Sequence, residues 1–259
     1  MENSQLLSKS DYKSYQKERI DAILKILQQQ GYVTVKHLTE ALNYSNATIN
    51  RDLNVMEKQK LVKRSYGGVE LVKNYGVALP FRYEKMKAAK LKIAKRAAEF
   101  VQDGDTIFID GSTTAEYIGQ YLLDKKNIRV ITNNMALVIF LSQHSIDTVC
   151  LGGTVVEKPY MLAGAEAVLN VRRYHANKMF FSTGGICLDG TILYGGSYEL
   201  IHETMMENAD EVFFLADHEK LMPICKKKKD FDALDCIITD FEFPQEVQNR
   251  YKDTTFVMA

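Results

Sequence analysis

Between residues 106 and 258 the chain alternates between two kinds of segment. A short run of β-branched and aromatic residues is followed by a polar turn carrying Gly, Ser, Thr or Asn, and then by a stretch with helical spacing. Residues 106–109 (TIFI) lead into a helix reaching about residue 123, and residues 128–132 (IRVIT) into a helix over 134–143. Further strands are expected at 147–151, 178–182, 211–216, 236–239 and 254–258. Strands alternating with helices define an α/β domain with a largely parallel sheet. No repeat or low-complexity tract interrupts it.

The first third has a different pattern. Residues 16–30 place Ile20, Ile23, Leu24, Ile26 and Leu27 on one helical stripe that stops at Gly31. Thr34 is placed to cap a second helix with Val35, Leu38, Ala41 and Leu42 inside, and Ser45 to cap a third over residues 46–59. In that third helix Ile49, Leu53 and Met56 recur at i, i+4, i+7 and point inward. Residues 61–64 and 69–72 read as two short strands around Ser65-Tyr66-Gly67-Gly68. Helix, helix, turn, helix, hairpin is a winged helix-turn-helix. The expected domains are therefore a winged helix-turn-helix over 1–75, a linker over 76–88 containing Pro80, and an α/β domain over 89–259, with a basic helix at 84–101.

Charge separates the same two parts. Over all 259 residues, 33 Lys+Arg balance 33 Asp+Glu, which argues against a generic polyanion binder. Residues 1–75 hold 12 Lys/Arg and 8 Asp/Glu, a net of +4, and the remainder carries −4. The start of the chain shows no apolar signal region, and the longest apolar run, 135–141, is too short for a bilayer span, so a cytoplasmic protein with no membrane partner is expected. Cys150, Cys187, Cys225 and Cys236 form no CxxC pair and read as reduced thiols, with no metal site. Phosphate-loop and dinucleotide glycine motifs are missing. The zinc-protease beginning His202-Glu203 has Met206 where a second His is required. Lys226 to Lys229 reads as a solvated loop.

With Ile49 inward, about 100° per residue turns Ala47, Arg51, Asn54 and Lys58 outward, flanked by Thr48 and Asn50. This face is small, polar and cationic, as a helix in a major groove must be. Arg pairs with guanine O6/N7 and Asn with adenine N6/N7. Thr34, Ser45, Asn46 and Thr48 at helix starts suit phosphate oxygens, as do Lys63 and Arg64 at the start of the hairpin. Asp52, nearer the inner face, is expected to fix a neighbouring Arg or Lys. The rival reading of this module is a three-helix protein-interaction domain.

The run Gly31-Tyr-Val-Thr-Val-Lys-His-Leu, then Ser45-Asn-Ala-Thr-Ile-Asn-Arg-Asp-Leu53, then Arg64-Ser-Tyr-Gly-Gly68 resembles the DeoR-type bacterial transcription regulators. Asn50 departs from the resemblance, standing where the first of two paired arginines is usual.

A second constellation lies at the strand ends. Asp110-Gly111-Ser112-Thr113-Thr114 follows the first strand, offering N–H groups and hydroxyls to a phosphate or carboxylate. Thr132-Asn133-Asn134, Gly152-Gly153-Thr154, Ser182-Thr183-Gly184-Gly185, Glu199, and Asp217 to Lys220 follow other strands and suggest one shared pocket. In it Lys220 supplies a cation for an anionic ligand and Glu199 a carboxylate for sugar hydroxyls. These motifs are similar to the sensor domain of the same family, which implies a fold related to ribose-5-phosphate isomerase and a phosphorylated-sugar effector. Ser112 and Glu219 depart from its usual Thr and Ser, and His202 stands where a Lys is common. The expected protein is thus a transcription regulator acting as a repressor of a carbohydrate-utilisation operon. Its partners are double-stranded operator DNA, a sugar phosphate and further copies of itself as a dimer or tetramer, with no cofactor. An isomerase using Glu199 as base is the rival, but the acidic segment of such enzymes has no match here.

Overall fold

The computed structural model describes residues 9–30, 32–58, 61–65, 68–71, 86–157, 161–195, 198–223 and 228–259. The chain divides into two units, Met1–Ala78 and Leu79–Ala259.

In the first unit α1 (Lys9–Gln30) extends the expected helix by two turns at its start, and Ile20, Ile23, Leu24 and Leu27 are buried. β1 (Tyr32–Thr34) leads into α2 (Val35–Leu42), where Thr34 Oγ1 accepts the His37 N–H at 3.1 Å. Asn43 stops α2 in the left-handed region (φ 53°), which Asn tolerates. α3 (Asn46–Lys58) starts on Ser45, whose Oγ accepts the Thr48 N–H at 3.2 Å, and Ile49, Leu53 and Met56 are fully buried. β2 (Val62–Ser65) and β3 (Gly68–Leu71) form the antiparallel wing. β1 was not expected as a strand; it pairs with β3, giving the order β1-β3-β2. This pairing explains Gly68, where a Cβ would sit 2.7 Å from the Val33 carbonyl oxygen. Gly31, the turn at 66–67 and linker positions 76–85 lie outside the described residues.

The second unit is built on seven parallel strands in the order β16-β15-β12-β9-β4-β5-β6. These are β4 (Thr106–Ile109), β5 (Arg129–Thr132), β6 (Asp147–Cys150), β9 (Ala176–Phe181), β12 (Ala209–Ala216), β15 (Cys236–Thr239) and β16 (Thr255–Met258). Alternate residues feed two cores. Phe108, Met179, Phe181, Phe214 and Ile237 pack on one face with α7 (Ala165–Val171), α8 (Glu199–Glu207) and α9 (Gln245–Arg250). Ile107, Ile109, Phe180, Phe213 and Leu215 pack on the other with α4 (Lys87–Ala98) and α6 (Met135–Gln143). Burial on both faces explains the unbroken apolar runs TIFI and VFFLA.

The expected helix to residue 123 is instead one α turn, α5 (Thr113–Glu116), followed by a 3-10 stretch, Tyr117–Tyr121. Gly119 lies so close to α6 that a Cβ there would meet Leu137 Cδ1 at 2.5 Å. Two unexpected pieces complete the unit. One is the hairpin β7 (Thr154–Glu157) and β8 (Met161–Ala163). The other is a small sheet, β13-β10-β11-β14, of β10 (Ile186–Cys187), β11 (Thr191–Leu193), β13 (Leu221–Met222) and β14 (Lys228–Asp230). Strands of two or three residues are too short to show a period of two. The basic run is therefore not simply a solvated loop. Lys228 and Lys229 lie in β14, paired with Asp189 and Glu203 at 3.8 Å each, while positions 226 and 227 lie outside the described residues.

Cys187 is disulfide-bonded, against the expectation of reduced thiols throughout; distance along the chain says nothing about distance in space. Cys150 and Cys236 are free, and burial pushes the Cys236 thiol up to about 12. Position 225 lies outside the described residues. Among the described residues no helix is long and apolar enough to cross a membrane, and no group of three His, Cys, Asp or Glu could hold a metal ion.

Candidate functional site

The outer face of α3 carries the expected groups. Asn46, Ala47, Arg51, Asn54 and Lys58 are exposed, and Thr48 and Asn50 half-buried. The Ser45 and Thr48 hydroxyls lie 2.9 Å apart at its start. Asp52 points inward and is fully buried. Arg19 of α1 donates from Nε to Asp52 Oδ2 at 2.8 Å, and Gln16 Nε2 to Oδ1 at 3.0 Å. The Arg19 guanidinium also lies 5.1 Å from the Tyr44 ring centre. Helix α3 is thereby clamped to α1 through its inner face, leaving the opposite face presented. On β2, Lys63 is exposed, while Arg64 lies across α3 and donates to both Asn54 Oδ1 and Asn50 Oδ1.

The second site forms where β4, β9 and β12 end. Asp110, 1% exposed, accepts the Ser112 hydroxyl at Oδ1 (2.6 Å) and faces His202 Nε2 at Oδ2 (3.1 Å). Ser112 Oγ also caps α5 by accepting the Ala115 N–H at 3.2 Å. The buried Lys90 of α4 donates to Thr113 Oγ1 at 3.2 Å. Lys220 donates to Thr114 Oγ1 at 3.0 Å and to Ser182 Oγ. A single α turn has a weaker macrodipole than a full helix, so the positive charge here comes chiefly from the two ammonium groups. On the β5 side, Asn134 Oδ1 caps α6 at Leu137 N (3.1 Å), and Thr132 Oγ1 accepts the Asn134 N–H at 3.0 Å. Asn133 Nδ2 donates to the Leu162 carbonyl at 2.8 Å. Asn133 Oδ1 is buried without a hydrogen-bond partner among the described residues. Gly111 admits the Met161 side chain, which a Cβ would meet at 2.5 Å, so β8 lies against this turn.

Other expected site residues fall elsewhere. Gly153 (φ 103°) packs against β8 and α7: a Cβ would lie 2.5 Å from the Ala163 carbonyl oxygen. Gly152 has φ 69° and its neighbour Leu151 accepts from Asn170 Nδ2, so these two glycines serve the chain path. Gly153→Ala is accordingly expected to destabilise the second unit by more than about 1 kcal/mol, visible as a lowered thermal midpoint. An unchanged midpoint with lost effector binding would return Gly153 to the ligand.

Gly185 packs against Met222, and the exposed Gly184 near Leu193. Glu199 begins α8 with its carbonyl accepting the Tyr194 hydroxyl at 3.1 Å, a phenol pushed above its usual range by burial and by Glu203, Glu199 and Glu207. One turn along α8 it is His202 that reaches Asp110. Asp217 is buried, its carbonyl accepting the Lys220 N–H at 2.9 Å. The adjacent Asp240 carboxylate accepts from His218 and holds that imidazole above its ordinary range. Asn134 and Ser182 join the cluster from turns the sequence had marked, whereas Lys90 and His202 complete it without having been expected in it. His202 alone had a signal, as the departure from a usual Lys.

The class of protein is thus a winged-helix unit and an α/β unit with a polar cluster containing two lysines at its strand ends. Residues 19–75 match the DeoR-like helix-turn-helix domain and residues 85–241 the DeoR C terminal sensor domain. The lactose phosphotransferase system repressor of Lactococcus lactis subsp. lactis is 31% identical over 94% of this chain and 98% of its own. The glycerol-3-phosphate regulon repressor of Escherichia coli K12 is 29% identical over 79% and 82%. A ribose 5-phosphate isomerase from Methanocaldococcus jannaschii matches at a TM-score of 0.40 and 20% identity, over 53% of this chain and 55% of that one. The chain belongs to the DeoR family of transcriptional regulators, and the two curated relatives named above are repressors.

Proposed function

We propose that this regulator represses a carbohydrate-utilisation operon and that a phosphorylated sugar, bound at the strand ends of the body, modulates its grip on operator DNA. The observation that carries this reading is the pair of lysines, Lys90 and Lys220, hydrogen-bonded to the neighbouring hydroxyls Thr113 and Thr114. Two ammoniums beside hydroxyls and backbone donors suit a phosphate dianion. The buried acceptor Asn133 Oδ1 and the Asp110–His202 pair then suit the hydroxyls of a sugar. The named relatives act on lactose phosphotransferase and glycerol-3-phosphate genes, which supports the same substrate class.

In this reading residues 1–75 form the DNA-reading head, 76–88 the linker and 89–259 the sensor, in a cytoplasmic homo-oligomer whose two-fold symmetry matches a two-fold operator. The effector acts by preferring one arrangement of heads, a coupling of about 1–3 kcal/mol. Its +4 head supplies phosphate attraction and its −4 body opposes it, so base contacts must carry specificity. Arg51→Ala tests this: operator affinity falls about 5- to 150-fold, equivalent to about 1–3 kcal/mol, while sugar-phosphate binding is unchanged. Fluorescence anisotropy on operator and scrambled duplexes measures it. Equal operator affinity in the variant would remove Arg51 from readout.

A further inference from the structure

We infer that Arg64 is a positioning residue for base readout: the wing reaches over the recognition helix and sets the two asparagine amides, so that Asn54 presents donors to the groove and Asn50 reads no base. The inference rests on the DNA-reading role proposed for α3.

The geometry starts from a group with donors only. A guanidinium offers no acceptor, so each amide it meets must turn its oxygen inward. Arg64 Nη1 donates to Asn54 Oδ1 at 2.7 Å, and Nη2 to Asn50 Oδ1. The same residue is tied to the helix a second way, since its backbone N–H meets Glu57 Oε1 at 3.4 Å. Asn50 is spent on both ends: its Nδ2 donates to the Asn46 carbonyl at 2.9 Å and to Asn46 Oδ1. Adenine recognition by asparagine requires Oδ1 to accept from N6 while Nδ2 donates to N7. Both Nδ2 hydrogens of Asn50 go to Asn46, so the donor that adenine N7 requires is already spent.

Asn54 is different because it is exposed and only its oxygen is engaged by Arg64. Its Nδ2 donors complement guanine, whose N7 and O6 both accept, and not the donor–acceptor edge of adenine. The assigned preference at the base read by Asn54 is therefore guanine over adenine. The half-buried Arg64 gives up the phosphate contact that its place at the hairpin suggested. An arginine at position 50, as the family pattern has it, would set a second cation against Arg64; the Asn50 amide accepts from it instead.

The test uses the full chain and duplexes selected by the wild-type protein from a randomised pool. Affinities are measured on single-base-pair variants of the selected site at several salt concentrations, for wild type, Arg64→Ala, Arg64→Lys and Asn54→Ala. The expected result is that Arg64→Ala frees Asn54 Oδ1 and shifts one position from guanine toward adenine by about tenfold, with the salt slope retained. Arg64→Lys, lacking the two-pronged fork, behaves as Arg64→Ala, and Asn54→Ala abolishes the preference at that position. The opposite result, in which Arg64→Ala weakens every duplex alike and lowers the salt slope by about 1 while Arg64→Lys restores both, makes Arg64 a phosphate contact and overturns the inference. If Arg64→Ala does not fold, an unaltered base preference in Arg64→Lys or Asn54→Ala overturns it equally. Failure of the wild type to select any duplex would instead refute the DNA-reading role of α3.

Discussion

Asp52→Ala is expected to remove about 3–5 kcal/mol from the stability of the head, the cost of leaving one charge of a buried pair without its partner. Asp52 is fully buried and the Arg19 side chain 9% exposed, so water cannot replace the lost carboxylate. The damage is compounded by Gln16, whose amide also donates to Asp52. A domain of this size owns about 5–15 kcal/mol in total, and loses about 4–8 °C of thermal midpoint per kcal/mol. Calorimetry of the full chain should therefore show a head transition displaced downward while the larger body transition stays in place. Operator binding falls with it, because α3 loses its fixed position on α1. The double variant Arg19→Met/Asp52→Leu should recover most of the stability, since a packed apolar pair avoids the desolvation of both ions. A head transition unmoved by Asp52→Ala would mean that the pair contributes nothing net, and that α3 is held by Ile49, Leu53 and Met56 alone.

That pair also shows what was legible from residues alone. Helical spacing placed Ile49, Leu53 and Met56 inside and left Asp52 near the inner face, where it needed a cation; which cation required the fold, because Arg19 is 33 positions away. Thr34 and Ser45 were legible as caps because capping is local, a hydroxyl accepting from an N–H three residues on. Strands of four or more residues buried on both faces announced the parallel sheet. The hairpin β7–β8 and the four-stranded small sheet did not, since strands of two to four residues lying partly on the surface carry too little alternation to be read, and β13 and β14 take their register from β10 and β11, about 30 to 40 residues away. The pocket divides the same way. Asp110 to Thr114 is a contiguous turn and could be read directly. Lys90 and His202 come to it from positions 23 and 92 residues away, and His202 displaces Glu199 by a single helical turn. The Gly152-Gly153 turn shows why glycine is an ambiguous signal: it marks a place where the backbone needs room, and at Gly153 the Ala163 carbonyl oxygen already requires that room.

Lys220→Ala is expected to weaken the response to a phosphorylated sugar about 10- to 150-fold, the loss of a charge-assisted hydrogen bond worth about 1.5–3 kcal/mol. The argument rests on what Lys220 holds. Its ammonium lies against Thr114 Oγ1 and Ser182 Oγ, so one side chain joins the turn after β4 to the turn after β9. A phosphate seated there gains the charge and both hydroxyls at once, and Ser182 Oγ keeps its own donation to the Leu215 carbonyl when the lysine is removed. The pocket should therefore keep its shape in the variant and lose affinity alone. The measurement is titration of the operator complex with a panel of pentose, hexose and triose phosphates, read by anisotropy. Thermal shift runs in parallel, where a ligand at a hundredfold excess over its dissociation constant adds about 2.7 kcal/mol to the wild type. Lys220→Ala should bind operator as the wild type does in the absence of sugar phosphate, and should need a proportionally higher concentration to respond. Lys220→Arg, which keeps the charge in a different shape, should fall between. A response at the same concentration in wild type and Lys220→Ala would place the effector away from these strand ends and leave Lys220 as a structural strut between two turns.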